Sequence, residues 1–407
     1  MRRINPSKFR IAHRGTSREI NSRIVLSLVR THQPISRADL ARTMSVSRAA
    51  VTLIVNDLLA RKLIFEGATG ETVRGRKPTF LYIDSRSRAV VAADIRASQT
   101  FLMLADLLGK PLAGIVSLPT MREPKAMIEV LAVAIKKLLA EHPEVDTCAG
   151  VGVVVPGMVE HATMRVLHAP TLRWRDVHLR DDLAAATGLP VQIENSGRAC
   201  ALAQMWSLRA DAVSIPSELV FVSVSDGVGV GVIINGELLR GRHNIAGEFG
   251  HLPLSLDGPR CCCGANGCWE TYISNRATLE RYFGRAIKAD GPEDAAHRAF
   301  TIDDLVSRAR GGDAKAIAAL AATARYLGLG LASIVNAVNP ACIYVGGEIT
   351  AAWDLIVDAA RAALVERTVT AAAATTELRP VPVHEHPRLH GAAALVAAPA
   401  FAAPVVA

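Results

Sequence analysis

The chain has 407 residues, of which 50% are hydrophobic and 4% are aromatic. It can therefore bury a large core, and we expect a soluble globular protein of two or three domains. No apolar run follows the basic start MRRINPSKFR, and the apolar tail after His390 is interrupted by Pro399 and Pro404. This pattern argues against a secretory signal and a membrane span, so we expect a cytoplasmic protein without a membrane partner.

Positive charge is concentrated at the start of the chain. The formal net charge is +8, but residues 1–88 hold 18 Lys plus Arg against 6 Asp plus Glu, a net +12, and the remainder is −4. A basic segment of this size suggests a polyanionic partner, most simply the phosphate backbone of nucleic acid. The alternative on charge alone is a solvated basic face or a disordered tail.

The first elements are helical. REINSRIVLSLVRTHQP has apolar residues on one helical face and predicts a helix that Pro34 ends. Ser36 and Asp39 have the spacing of a capping box for a short second helix, and Ser47 after the loop SVS can cap a third. Two short helices around a tight turn are typical of a helix-turn-helix.

The third helix, RAAVTLIVNDLLARKLI, separates into two faces. The predicted buried stripe consists of Val51, Ile54, Val55, Leu58 and Leu59. The outward positions, which we predict to contact DNA, are Ser47, Arg48, Ala49, Thr52 and Asn56. They lie toward the N-terminal half, where a recognition helix meets base edges in the major groove.

The stretch LIFEGATGETVRGRKPTFLYID predicts two strands around a Gly-rich turn that carries Arg74, Arg76 and Lys77. These basic residues suit a wing over the phosphates or in the minor groove. Residues 1–85 are therefore predicted to form a winged helix-turn-helix that binds double-stranded DNA. Helix triples also occur in proteins that never contact DNA, which remains the alternative.

After Asp84 strands and helices alternate. AVVAADIRASQTFLMLADLLGK and LVFVSVSDGVGVGVIINGELLRG each predict two strands around a turn, and each is followed by helices. Two such units predict a duplicated two-lobed α/β domain with a ligand cleft between the lobes.

Four cysteines cluster in CCCGANGCWE, residues 261–270. Clustered cysteines in a reducing compartment favour metal over disulfides. Cys261, Cys263 and Cys268 follow a C-x-C-x4-C spacing around two glycines, and His251 lies ten residues upstream. Three sulfurs and one nitrogen form the closed tetrahedral set of a structural zinc site. We expect Cys262 to point away from its neighbours and not to bind the metal.

CCCGANGCWE and the preceding HNIAGEFGH resemble the signature of the ROK family of sugar kinases and sugar-responsive repressors. Only the repressor branch has an N-terminal winged helix, and this layout is similar to the regulators of N-acetylglucosamine and xylose utilisation. The resemblance implies an actin-like fold with two ribonuclease-H-like lobes. We assign residues 86–196 to the first lobe and residues 197–390 with the zinc site to the second, and residues 391–407 form a helix that returns to the first. In the family one His and three Cys hold zinc, which matches the set already identified.

The resemblance also implies that kinase activity has been lost. Kinases carry a D-I-G-G-T-like pattern where this chain has DIRAS, Asp94–Ser98, so side chains occupy the approach to the phosphates. In SDGVGVG, Asp226 lies where anionic phosphates would bind and repels them. The general base of the E-N-D run is replaced by Ser196, whose hydroxyl cannot serve as that base near neutral pH.

The residues that bind sugar in the family are better retained. By resemblance they are Asn195, Glu248, His251 and Glu270. Carboxylates and amides suit vicinal diols, which offer paired donors and acceptors. His251 then binds zinc through one ring nitrogen and sugar through the other. Two residues depart from the family pattern: Ser196 replaces a carboxylate, and Thr171 replaces an asparagine. Altered sugar specificity or lost sugar binding therefore remain alternatives. For Glu248 and Glu270 the alternative is that they are solvated or structurally paired acids without a role in binding.

The sequence therefore predicts a transcriptional regulator, a repressor without catalytic residues, whose partners are operator DNA and a sugar effector. We expect a homodimer or homotetramer, because one helix-turn-helix reads only one half-site. The runner-up is an ATP-dependent ROK sugar kinase with a DNA-binding domain. The third alternative is a constitutive DNA-binding or scaffold protein with an empty cleft.

Overall fold

The computed structural model describes residues 14–69, 78–85, 88–210, 216–287 and 299–401, and its first unit is a small helical domain with a three-stranded sheet. Its elements are α1 (Arg14–His32), β1 (Ile35–Ser36), α2 (Arg37–Thr43), α3 (Arg48–Ala60), β2 (Ile64–Thr69) and β3 (Thr79–Ile83). The strand order is β1-β3-β2, and β2 pairs antiparallel with β3. This is the winged helix-turn-helix that the sequence predicts.

Side-chain caps fix where the two short helices begin. The Ser36 hydroxyl accepts a hydrogen bond from the backbone N–H of Asp39 at 3.2 Å, and the Asp39 carboxylate accepts one from the N–H of Ser36 at 3.1 Å. The predicted capping box is thus confirmed. The Ser47 hydroxyl accepts from the N–H of Ala50 at 3.2 Å and caps α3. The start of the recognition helix therefore follows from local sequence.

The first lobe is a five-stranded mixed sheet with helices on both faces. Its elements before the lobe boundary are β4 (Arg88–Ile95), β5 (Gln99–Asp106), β6 (Val116–Pro119), α4 (Pro124–Ala140), β7 (Thr147–Val155), β8 (Met158–Val159), β9 (Val166–Ala169), β10 (Trp174–Val177), α5 (Leu179–Thr187) and β11 (Val191–Asn195). The sheet order is β11-β7-β4-β5-β6, and β8, β9 and β10 form a small separate sheet.

Apart from two helices, the remaining elements build the second lobe. These elements are α6 (Ser196–Ala210), β12 (Glu218–Val224), β13 (Val228–Ile234), β14 (Glu237–Leu238), α7 (Glu270–Ile273), α8 (Asn275–Phe283), α9 (Ile302–Arg310), α10 (Ala314–Val338), β15 (Cys342–Gly346), α11 (Trp353–Arg367), β16 (Glu377–Val381) and the C-terminal helix α12 (Pro387–Phe401). The two exceptions are α6, which lies at the junction of the lobes, and α12, which returns to the first lobe. The sheet order is β14-β13-β12-β15-β16.

The two sheets have the same strand arrangement. In each, an antiparallel hairpin is followed by two strands that extend the sheet in parallel, β7 and β11 in the first lobe and β15 and β16 in the second. A short strand lies on the outer edge of each hairpin. The predicted duplicated two-lobed α/β domain is therefore confirmed.

Apolar helices cover both sheets. In the first lobe α4 and α5 cover one face, whereas α12 covers the other against β4 and β7. In the second lobe α10 and α11 pack together over the sheet. Helix α10 has 25 residues and is long and apolar enough to cross a membrane, but it packs here as the core helix of the lobe. Helix α12 begins at Pro387, four residues before the predicted start, because proline suits the first turn of a helix.

Helix α6 lies at the junction of the lobes. It packs against α12 on one side and against β12 and β13 of the second sheet on the other. At its first turn the two backbones touch, since a Cβ on Gly197 would lie 2.7 Å from the carbonyl carbon of Gly229. Only glycine fits this crossing, so α6 contacts the second lobe without an intervening side chain.

The winged helix docks on the far ends of α6 and α12. Arg30 of α1 donates a hydrogen bond from Nη2 to the carbonyl oxygen of Trp206 at 2.8 Å, and its guanidinium lies 3.3 Å from the centroid of the Trp206 ring. The Phe401 ring packs edge-on against Trp206 at 5.5 Å between centroids. Buried apolar residues run without a break from the winged helix into these two helices. Helix α1 of the winged helix therefore contacts both α6 and α12.

Candidate metal centre and interlobe cleft

Four side chains of the second lobe converge on one point. The ligand atoms of His251, Cys261, Cys263 and Cys268 all lie within 4.8 Å of one another. Cys261 Sγ lies 3.6 Å from His251 Nδ1, and Cys263 Sγ lies 3.6 Å from Cys268 Sγ. A tetrahedral zinc with Zn–S near 2.3 Å and Zn–N near 2.0–2.1 Å separates two sulfurs by about 3.8 Å and sulfur from nitrogen by about 3.6 Å. The residues present therefore fit zinc.

The turns of the cysteine loop bring these groups together. Gly264 and Gly267 have φ values of 97° and 66°, in the left-handed region that glycine tolerates. The N–H of Cys261 donates to the carbonyl of Ala265 at 2.9 Å, which closes the turn between the first two ligands. Trp269 follows the last ligand, is fully buried, and donates from Nε1 to the carbonyl of Tyr326 on α10 at 2.8 Å. The loop is thus anchored to the core of the lobe.

A cavity of about 480 Å³ lies between the lobes beside this centre. The four residues predicted to bind sugar all line it, as do Thr171, Ser196 and Asp226. His251 takes part in both places, because Nδ1 faces the cysteines while the residue lines the cavity. The structure thus brings the predicted metal set and the predicted sugar set together.

Asn195 ends β11 and is held by the backbone. Its Nδ2 donates to the carbonyl of Gly157 at 2.9 Å, and its Oδ1 accepts from the N–H groups of Gly197 at 2.9 Å and Arg198 at 3.3 Å. Both acceptor sites of the amide and one of its two donors are occupied. Asn195 can therefore offer one N–H to a ligand in the cavity.

A buried ion-pair network supports Glu248. Arg198 Nη2 lies 4.0 Å from Glu248 Oε1, and Arg198 Nη1 lies 3.5 Å from Glu194 Oε1. Arg240 also pairs with Glu194. Burial raises the pKa of Glu248, whereas Arg198 and His251 act to lower it. Arg198 and Arg240 are absent from the predicted site. Glu194 lies on strand β11 and Arg198 on helix α6, so no helical spacing links them, and Arg240 is 46 residues from Glu194.

Glu270 links the metal loop to the turn before β13. Its Oε2 accepts from the N–H of Val228 at 2.9 Å, and its Oε1 lies 3.5 Å from Cys262 Sγ and 3.7 Å from Cys261 Sγ. A Cβ on Gly227 would lie 2.8 Å from Glu270 Oε2, so a larger residue at this turn would displace the Glu270 carboxylate. Cys262 lies outside the four-residue ligand set, but the ligand atoms of Cys262, Cys261 and Glu270 lie within 4.8 Å of one another and Cys262 lines the cavity. The expectation that Cys262 points away from its neighbours is therefore wrong.

Charged side chains fill the other half of the cleft. Arg96 Nε donates to the buried Asp94 carboxylate at 2.6 Å. From α12, Arg388 Nη2 donates to Ser225 Oγ at 3.2 Å and so ties the C-terminal helix to the second lobe. Burial and the nearby Glu348 carboxylate raise the pKa of Asp226. This half of the cleft therefore places the Asp226 and Glu348 carboxylates beside the glycine-containing turn between β12 and β13, where they would repel phosphates.

The predicted DNA-contacting residues of α3 lie on the surface of the winged helix. Ser47, Arg48, Ala49, Thr52 and Asn56 are all exposed. Thr52 Oγ1 donates to the carbonyl of Arg48 at 2.8 Å, and Asn56 Oδ1 accepts from Arg37 Nη2 at 3.1 Å. The predicted wing residues Arg74, Arg76 and Lys77 lie outside the described residues.

Comparison with known proteins adds independent evidence. The model of the ROK family matches residues 94–398. The xylose repressor of Bacillus subtilis (strain 168) is 27% identical over 371 residues, which cover 91% of this chain and 93% of the repressor. A solved ROK family transcriptional regulator, described as a homologue of the E. coli MLC protein, superposes with a TM-score of 0.78 at 27% identity and covers 95% of this chain and 97% of that chain. A ROK family glucokinase from Streptomyces griseus, solved with glucose and AMPPNP, has a TM-score of 0.64 at 27% identity and covers 75% of this chain and 98% of its own.

Proposed function

Because the chain belongs to the ROK family, we propose that it is a sugar-responsive transcriptional repressor whose winged helix binds operator DNA and whose cleft binds the sugar. The proposal rests on how much of this chain aligns with each relative. The repressor and the regulator match across the winged helix as well as the two lobes, whereas the glucokinase matches three quarters of the chain. We place the protein in the cytoplasm, where its DNA and a phosphate-free or phosphorylated sugar are both accessible.

The experiment has two stages. Full-length protein is used to enrich duplexes from a random DNA pool, and the affinity of the enriched duplex is then measured by fluorescence anisotropy with and without each sugar of a hexose, amino-hexose and pentose panel. We expect one duplex family to be enriched and at least one sugar to change its affinity. Enrichment without any sugar effect would favour the constitutive DNA-binding alternative.

The exposed N-terminal half of α3 supports the DNA assignment. Arg48 is expected to contact a base edge, so Arg48→Ala should weaken binding to the enriched duplex roughly 5- to 150-fold, the effect of losing about 1–3 kcal/mol of base discrimination. Binding to random DNA should fall much less. The matched control is Arg325→Ala. Arg325 carries the same charge and is also exposed, but it lies on α10, away from the winged helix. Equal losses on both duplexes would show that Arg48 contacts phosphate instead of a base.

The cavity supports the sugar assignment. We propose that Glu248, Glu270, His251 and Asn195 bond the hydroxyl groups, Asn195 with its remaining N–H and His251 with the ring nitrogen that faces away from the cysteines. When bound at the four ligands, zinc would hold the cysteine loop and fix the orientation of the His251 ring. The ion pairs of Arg198 would keep Glu248 in place for paired donors on a sugar.

We propose that the cleft does not transfer phosphate. Ser196 supplies no carboxylate base, and Asp226 and the Arg96–Asp94 pair occupy the region that phosphates would enter. Incubation with ATP and each sugar should therefore release no more ADP than ATP alone in a coupled assay. Turnover that depends on the sugar and disappears in Asn195→Ala would instead support the kinase alternative.

The route from cleft to winged helix follows α6 and α12. Ser196 of α6 and Arg388 of α12 line the cavity, while Trp206 and Phe401 near their other ends pack together beside Arg30. A sugar can change operator affinity only by binding two lobe arrangements with different affinities. We propose that lobe closure shifts these helices and hence α1, in an assembly of at least two chains that reads two half-sites.

A further inference from the structure

Leu53 is an exposed leucine on the outward face of α3. With about 100° between successive helical residues, it lies about 150° from the centre of the buried stripe formed by Val51, Ile54, Val55 and Leu58. Its exposed fraction is 69%, and Ala49 and Ala60 beside it are exposed as well, whereas the half-buried Asp57 at the edge of this face pairs with Arg18 and Arg61. The centre of the outward face is therefore largely apolar.

Two of the polar groups on this face, the Thr52 hydroxyl and the Asn56 amide oxygen, are already engaged within the protein. The hydroxyl of Thr52 donates to the backbone of its own helix, and the amide oxygen of Asn56 accepts from Arg37, which also pairs with Glu66. Reading adenine with an asparagine requires both its amide oxygen and its NH₂ group. Sequence readout by this helix must then rely in part on its exposed methyl groups.

A single exposed leucine is ordinary on a protein surface, but the charges around this one are informative. Arg48 lies on the same helix, and Arg42 and Arg61 at either end of the motif are well exposed, with 78% and 56% of their side chains accessible. An apolar centre with basic groups around it complements a major groove, where phosphates flank the base edges. The apolar group that the major groove offers is the C5-methyl of thymine.

We infer that Leu53, assisted by Ala49, contacts the C5-methyl group of a thymine in each operator half-site and thereby specifies that base. The inference rests on the proposed DNA-binding function and adds a specificity residue to it. Removing one buried methyl group from such a contact should weaken binding roughly four-fold. We therefore expect a loss of roughly 3- to 10-fold for each thymine contacted.

The test uses deoxyuridine, which lacks only the methyl group. In the duplex enriched by full-length wild-type protein, each thymine is replaced singly by deoxyuridine, and affinity is measured by fluorescence anisotropy at one fixed salt concentration. For wild type we expect one sensitive thymine in each half-site. Leu53→Ala should bind the thymine duplex more weakly by a similar factor and should not distinguish thymine from deoxyuridine at that position. Leu53→Met, which restores apolar volume, should regain part of the difference.

The matched control is Val133→Ala, because Val133 is a similarly exposed aliphatic residue on α4, with an exposed fraction of 68%. It should retain the wild-type response to deoxyuridine. A thymine effect that is the same in Leu53→Ala and wild type overturns the inference. So does a Leu53→Ala variant with unchanged DNA affinity and a smaller mass by light scattering, which would assign the face to contact between protein chains. Failure to enrich any duplex overturns the DNA-binding function as well, whereas enrichment without a sensitive thymine overturns this inference alone.

Discussion

Replacing Cys268 by serine should remove zinc from the protein and lower its melting temperature by roughly 10 °C. Cys268 is buried and lies directly before Trp269, whose ring packs under α10, so a zinc bound there would join the cysteine loop to the core of the second lobe. A structural zinc contributes folding free energy directly, and a loss of several kcal/mol shifts the melting temperature by about 2–4 °C per kcal/mol in a domain of this size. Metal content is measured by mass spectrometry and unfolding by calorimetry.

Cys262 provides the control for this experiment. It neighbours two ligands in sequence but lies outside the set of four. Cys262→Ser should keep about one zinc per chain and nearly the wild-type melting temperature. Wild-type protein that is free of zinc yet melts at the same temperature as Cys268→Ser would contradict the metal assignment, and so would an equal loss of zinc in both variants.

Glu248→Ala should abolish the effect of sugar on operator affinity, which we expect to be roughly 5- to 150-fold in wild type, the usual range of allosteric coupling. Glu248 lines the cavity beside His251 and is supported by Arg198, so its loss removes an acceptor from the proposed sugar site. It lies in the cleft rather than in the winged helix, and DNA binding without sugar should stay nearly intact. Titration calorimetry measures sugar binding, and anisotropy measures the operator response.

Two further variants separate binding from coupling. Glu129→Ala changes an exposed acid on α4 and should leave both measurements as in wild type. Trp206→Ala should still bind sugar but should transmit a smaller response, because it removes the ring on which Arg30 of the winged helix rests. If sugar changes the operator affinity of Glu248→Ala as it does that of wild type, the proposed sugar site is refuted, because Glu248 is the only residue changed in that variant.

Local signals made the winged helix and the metal set predictable. The caps at Ser36 and Ser47 require only neighbouring residues, and the cysteine spacing limits the metal ligands to one short loop. Both hairpins were also predictable. The apolar pattern of the two strands and the turn residues between them lie in one continuous stretch of sequence.

Contacts between distant segments could not be read in the same way. Arg388 reaches Ser225 across 163 positions, and Arg30 reaches Trp206 across 176. Nothing in the local sequence around either arginine shows whether it bonds to a distant segment or carries a solvated surface charge. For Leu53 the position on the outward face of α3 follows from the helical periodicity alone. What the sequence does not show is how far the folded protein leaves this side chain exposed.

Substitution of a glycine by any other amino acid adds a side chain. At Gly197 that side chain would meet the backbone of Gly229 and Val230 at 2.7 Å and push α6 away from the second lobe. One substitution at this residue is therefore enough to disturb the contact between α6 and the second lobe, on which the proposed response to sugar depends. The proposed coupling can thus be lost through a change at one residue that lies outside the sets proposed to bind sugar and DNA.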